Sequence, residues 1–113
     1  MRLLLLALLL PLPLPALALT PAAREFMEIS AKLEPVQCEK RQLRRKMALA
    51  QAEQRGADLE SFRARFTELN RDRHTTRLEA RLGELEQRIT STRDPEDLDA
   101  ISFQQRQAFY RCE

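Results

Sequence analysis

From Phe26 to Phe109 the apolar residues return at intervals of three and four and never alternate with polar ones. That spacing suits amphipathic helices and leaves no half-buried strand. Composition agrees. Alanine, leucine, glutamate, glutamine and arginine dominate, all strong helix formers, and Gly56 and Gly83 are the only glycines. The expected fold class is all-α: a small antiparallel helical bundle or an extended helical hairpin, closed by one disulfide.

The caps and breakers divide the pattern. A first helix is expected to open at Thr20 with Pro21 in its first position. Ala22, Phe26, Ile29 and Leu33 fall on one face, and Pro35 should end or kink the segment. A second helix over Val36 to Arg55 carries Val36, Leu43, Met47 and Ala50 as one stripe, with Cys38 nearly opposite. Gly56 reads as a stop and Asp58 as the next N-cap. Two clean stripes follow: Leu59, Phe62, Phe66, Leu69, then Leu78, Leu82, Leu85, Ile89. Nine residues separate Leu69 from Leu78, which turns the apolar face by half a revolution on a 3.6-residue helix. Either Asn70 to Thr75 is a turn, with Thr76 and Glu79 as a capping box, or one long helix buries opposite faces along its two halves. The last helix has the clearest start, with Asp94 as cap, Pro95 in first position, and Glu96 and Asp97 at the positive dipole end. Leu98, Ile101, Ala108, Phe109 and Cys112 should form its core face.

The first 18 residues stand apart. Met1-Arg2, the apolar run Leu3 to Leu10, prolines 11, 13 and 15, and Ala16-Leu17-Ala18 follow the order of a secretory signal. The run is too short and too broken for a spanning helix. Residues 1–18 are therefore expected to be a leader and residues 19–113 a single helical domain. Export fits the cysteines, since an isolated pair in a short exported chain reads as a disulfide. Cys38 and Cys112 lie 74 residues apart, and by the loop-entropy estimate such a link contributes roughly 4 kcal/mol. It also constrains topology. Four helices running up, down, up and down bring Cys38 and Cys112 to the same end, so a turn at 70–75 is the preferred reading.

Little in the chain suggests catalysis. His74 is the only histidine, and with Asp72 nearby it is a poor metal site. No glycine-rich loop is present to hold a phosphate. The expectation is a protein without enzymatic activity or cofactor. Net charge is +2 from 19 basic and 17 acidic residues, too balanced for a nucleic-acid binder. Two surface features remain as candidates. Lys40, Arg41, Arg44, Arg45 and Lys46 form a basic cluster, the first four on one contiguous side of the second helix, suited to a membrane surface or an anionic polymer, or else a solvated flank neutralised by neighbouring acids. Phe103 and Tyr110, flanked by Arg106 and Arg111, lie away from the expected core face of the last helix. They are of the residue types enriched at binding hot spots, unless the helix over residues 21–34 covers them. The leading expectation is a small exported helical protein that works by protein–protein interaction, as an adaptor, an envelope accessory or a chaperone-like binder. A protein partner is expected, a homodimer is possible, and a bacterial envelope is the preferred setting.

Overall fold

The computed structural model describes residues 18–112. The leader expected over residues 1–18 lies outside the described residues except for Ala18. Four helices follow in order: α1 (Pro21–Ala52), α2 (Gly56–Arg71), α3 (Arg73–Thr92) and α4 (Pro95–Arg111). No strand occurs among the described residues.

α1 opens as its sequence predicts. Thr20 caps it, accepting from the Ala23 N–H, and Pro21 stands in the first turn. It then runs unbroken through Pro35 for 32 residues, about 48 Å. The expected boundary at Pro35 is therefore wrong, and the two helices anticipated over residues 21–55 are one. Proline removes one donor and crowds the carbonyl four residues back, at a cost of about 3 kcal/mol. Here that carbonyl belongs to Ala31, and both Ala31 and Pro35 face water. Phe26, Ile29, Leu33 and Leu43, buried on either side of the proline, hold the axis together.

The stop at Gly56 is also displaced. α1 ends at Ala52, and Gln54, not a glycine, takes the left-handed conformation (φ 56°). The Arg55 N–H closes the turn on the Ala50 carbonyl at 2.8 Å. Gly56 is the first residue of α2. Asp58 lies in the first turn, where it pairs with Arg55 instead of capping the helix.

α2 and α3 meet at a single non-helical residue, Asp72 (φ −64°, ψ 118°). Its carboxylate accepts from the Thr75 N–H at 3.0 Å and the Thr75 hydroxyl at 2.7 Å. These bonds hold its carboxyl below the usual carboxylate value. Asp72 thus caps α3, and the expected Thr76–Glu79 capping box does not form. One extended residue absorbs the half-revolution phase slip, so the chain does not reverse. α2 and α3 run end to end down the same side of α1, α2 against its second half and α3 against its first. The up-down-up-down arrangement is replaced by an extended helical hairpin.

α4 then returns along the first half of α1. Arg93 closes α3 in the left-handed conformation (φ 52°). Asp94 caps α4 as predicted, accepting from the N–H groups of Glu96 and Asp97. α4 runs parallel to α1 in a constant register. Thr20 bonds to Asp97, Met27 to Gln104 and Glu34 to Arg111, each pair 77 residues apart. At the far end Cys38 and Cys112 form the expected disulfide, with Cα atoms 5.5 Å apart.

The register sets which face of α4 is buried. Asp97 is held at one end and Cys112 at the other, so Asp97, Ile101, Gln104, Ala108 and Cys112 form the inward line. Leu98 and Phe109, expected in the core, are exposed instead (41% and 58%). The main core joins Ala23, Phe26, Ile29 and Leu33 of α1 with Leu85 and Ile89 of α3 and Ile101 of α4. Beyond the disulfide, only Leu43, Ala50 and Leu69 are buried apolar residues.

Candidate functional site

α4 is amphipathic in the wrong direction for a helix that serves only the core. Its inward line is small or polar apart from Ile101. Its outward side carries Phe103 (58% exposed), Phe109 (58%) and Tyr110 (72%), with Leu98 at the edge. α1 does not cover Phe103 and Tyr110, so the alternative in which residues 21–34 bury them does not hold. The Phe109 and Tyr110 rings meet edge to face, with centroids 5.9 Å apart. Ser102, Gln105, Arg106, Phe109 and Tyr110 line a shallow depression on this face. Large apolar side chains exposed together on a small protein make a candidate contact surface.

The basic residues are shared out among three helices. Lys40 is buried and its ammonium pairs with Glu79 of α3 at 3.0 Å. Arg41 stacks its guanidinium over the Phe109 ring of α4, 5.1 Å from the centroid. Arg44 lies over Phe66 and Lys46 over Phe62, at 5.4 and 5.8 Å, both rings belonging to α2. Arg45 is exposed. Lys40, Arg41 and Arg44 do line one surface recess, with Gln37 and Glu79, but Glu79 puts a carboxylate within it.

α1 also supplies a carboxylate to each of the other helices. Glu39 takes Arg65 of α2, Glu25 takes Arg81 of α3 and Glu34 takes Arg111 of α4. Each pair is bidentate, at 2.7–3.0 Å, the geometry in which arginine and carboxylate match best. Hydrogen bonding to the guanidinium holds all three glutamates below the ordinary carboxylate value and raises the three arginines.

The sequence position of Asp97 suits the dipole of its own helix. The structure gives it a second role. It is 1% exposed, and its two oxygens accept from the Thr20 N–H at 3.0 Å and the Thr20 hydroxyl at 2.6 Å. Thr20 therefore caps α1 and fastens the start of α4 to it. Both carboxylate oxygens are engaged in this structural bond. No local signal in the sequence pairs residues so far apart.

A cavity of about 160 Å³ lies between α1, α3 and α4 beside the disulfide, lined by Phe26, Gln37, Arg41, Leu82, Gln104 and Cys112 among others. Gln104 donates to the Met27 carbonyl at 2.7 Å, which fixes its amide orientation. Its Oε1 and the Nη1 of Arg41 are buried here with no hydrogen-bond partner among the described residues. A polar space of this size suits ordered water, which would satisfy donor and acceptor together. His74 is exposed in the first turn of α3, and among the described residues no three histidine, cysteine or acidic side chains gather as metal ligands.

No protein-family model, curated protein or solved structure matches this chain. The fold and site define a class by geometry alone: a disulfide-closed helical hairpin with a parallel return helix that turns its aromatic side outward.

Proposed function

We propose that this protein is a non-enzymatic protein–protein interaction module that acts outside the cytoplasm, with a bacterial envelope as its setting, and that the outward face of α4 is its contact surface. One observation carries the reading. α4 is pinned at both ends and in the middle through Asp97, Gln104 and Cys112, and this fixes three aromatic rings and Leu98 toward solvent. Burying a large apolar side chain is worth about 1.5–3 kcal/mol, and this chain forgoes that gain at several positions of one helix. A rigid helix presenting aromatics and an arginine is the form of an adaptor or a chaperone-like binder. Export is supported by the leader pattern of residues 1–18 and by the disulfide. Among the described residues no helix is long and apolar enough to cross a membrane.

The test uses the oxidised protein as bait in an envelope extract, at about 0.1 M and then 1 M salt, beside a variant carrying Phe103→Ser and Tyr110→Ser. The reading expects a discrete protein, this chain included, retained at high salt by the parent and lost by the variant. Both positions are exposed, so the variant should melt as the parent does. Material held only at low salt, and lost when Arg41, Arg44 and Arg45 become glutamate, would shift the function to an anionic surface gripped by the basic cluster. A protein that stays monomeric and retains nothing would end the proposal.

A further inference from the structure

The partner of this face can be named by its chemistry. Resting on the reading of α4 as a contact surface, we infer that its partner is a second copy of this chain, docked by antiparallel pairing of the two α4 helices about a two-fold axis between Ser102 and Phe103.

The argument begins with charge. The exposed acids of α4, Glu96 and Asp99, lie in its first half, and its basic residues, Arg106 and Arg111, lie in its second. Arg111 is taken by Glu34. Asp99 and Arg106 are exposed, and neither has an ion-pair partner among the described residues. They are seven residues apart and so share one meridian of the helix, in the middle of the outward side. A helix with acid at one end and base at the other along one meridian complements itself when a copy runs the opposite way. An axis between Ser102 and Phe103 sets each Asp99 against the other copy's Arg106. Parallel pairing would set Asp99 against Asp99 and Arg106 against Arg106, so charge selects the antiparallel arrangement. The two helix dipoles also oppose favourably in that arrangement.

The apolar residues obey the same operation. Phe103, next to the axis, meets its own copy. Tyr110 falls over the copy's exposed Pro95 at the start of α4. Closed two-fold pairing of one patch with itself is the commonest form of homo-oligomer. Size sets the strength. Each aromatic side chain buries about 150–250 Å² when fully covered, and six rings more than half exposed supply an interface on the order of 1,000 Å² with their flanks. That is the lower bound for specific pairing, the size class of weak, reversible association.

Sedimentation equilibrium of the oxidised protein from about 1 to 200 µM, a range that spans weak association, tests the assignment. A reversible monomer–dimer equilibrium is expected. Asp99→Arg alone and Arg106→Asp alone should each weaken it about tenfold or more, the usual scale for opposing like charges at an interface. The double variant D99R/R106D should restore it, because the two charges exchange places across the axis. Phe103→Cys should cross-link the dimer covalently once Cys38–Cys112 has formed. These positions are exposed, and unchanged helical circular dichroism and melting confirm that each variant is folded. A monomer at every concentration would overturn the two-fold pairing while leaving capture of another protein by the α4 face to be judged separately. A dimer unmoved by the single swaps, or not rescued by the double one, would equally overturn it.

Discussion

At the Thr20 end of the molecule three helices share a core of aliphatic and phenyl side chains, closed by a buried Asp97–Thr20 bond at its tip and by Cys38–Cys112 at its base. At the Glu53 end only α1 and α2 remain, and Leu43, Ala50 and Leu69 are the only apolar side chains that become buried. Two helices cannot enclose a dry interior, because each apolar stripe has a partner on one side only. Phe62 and Phe66 are left half-buried, and the cationic heads of Lys46 and Arg44 lie over them. The comparison recasts the basic cluster. Within a charge run that reads as an anion-binding motif, Arg44 and Lys46 here roof a thin core. Where a third helix is present, aliphatic side chains do that work, and the surface is left to glutamate–arginine pairs.

The largest effect that should separate the halves comes from the disulfide. Replacing both Cys38 and Cys112 by serine should cost about 4 kcal/mol in urea unfolding, from the loop the bond closes. Native-state hydrogen exchange should show α4 losing protection first, then α3, with α2 least changed. If α2 loses protection in step with α4, the two ends form one cooperative unit and the contrast fails. Next in size are two core truncations. Leu33→Ala, fully buried in the three-helix end, should cost about 3 kcal/mol. Leu69→Ala, at the rim of the two-helix end, should sit at the bottom of the usual range, about 2 kcal/mol, because the site can collapse or admit water. Equal losses would mean that the thin end packs as tightly as the thick one.

Smaller but more discriminating are Arg44→Gln and Lys46→Gln. If these cations roof Phe66 and Phe62, each substitution should destabilise by about 0.5–1 kcal/mol, the scale of an exposed cation–ring contact. If instead they were a self-repelling solvated cluster, removing one charge should stabilise the protein. The sign of the change in melting temperature decides between the two.

Much of this architecture was legible because its signals are local. Thr20-Pro21 and Asp94-Pro95 carry their own capping chemistry, and the structure uses both as written. The disulfide followed from the cysteine count and an expected oxidising compartment. The continuity of α1 was legible in principle. Phe26, Ile29, Leu33, Val36, Leu43, Met47 and Ala50 keep one phase straight through Pro35, and that stripe outweighs the proline once partners pack on it. The rest depends on register between distant segments. Leu98 and Phe109 share a face with Ile101 on any helical wheel, and only the bonds of Asp97 to Thr20 and Cys112 to Cys38 rotate them outward. For the candidate surface, the outward placement of Phe103, Tyr110 and Arg106 was legible from spacing alone. The rotation of α4 that moves Leu98 and Phe109 out of the core was not, and neither was the diversion of Lys40 to Glu79.

The mildest effect should come from acid, and it compares the ends without altering a side chain. Glu25, Glu34 and Glu39 have carboxyls held below the ordinary value of 4.5 by their arginine partners. A carboxyl lowered in the folded state contributes stability that is complete above its unfolded value and is lost as pH falls through its folded value. Melting temperature should therefore hold near neutrality and decline below about 4.5, the unfolded glutamate value. All three pairs are open to solvent, so the decline should be shallow and should lessen further in high salt. Two of the pairs, Glu25–Arg81 and Glu34–Arg111, fasten the three-helix end, which the disulfide also holds. Only Glu39–Arg65 fastens the two-helix end across its interface in this way. In hydrogen exchange at pH 4 and below, α2 should accordingly open before α3. Glu39→Gln should make α2 less stable near neutrality and much less sensitive to acid, leaving α3 and α4 unchanged. If α3 and α4 respond to Glu39→Gln as strongly as α2 does, the thin end is not an independent weak point, and its arginine pair serves the whole hairpin.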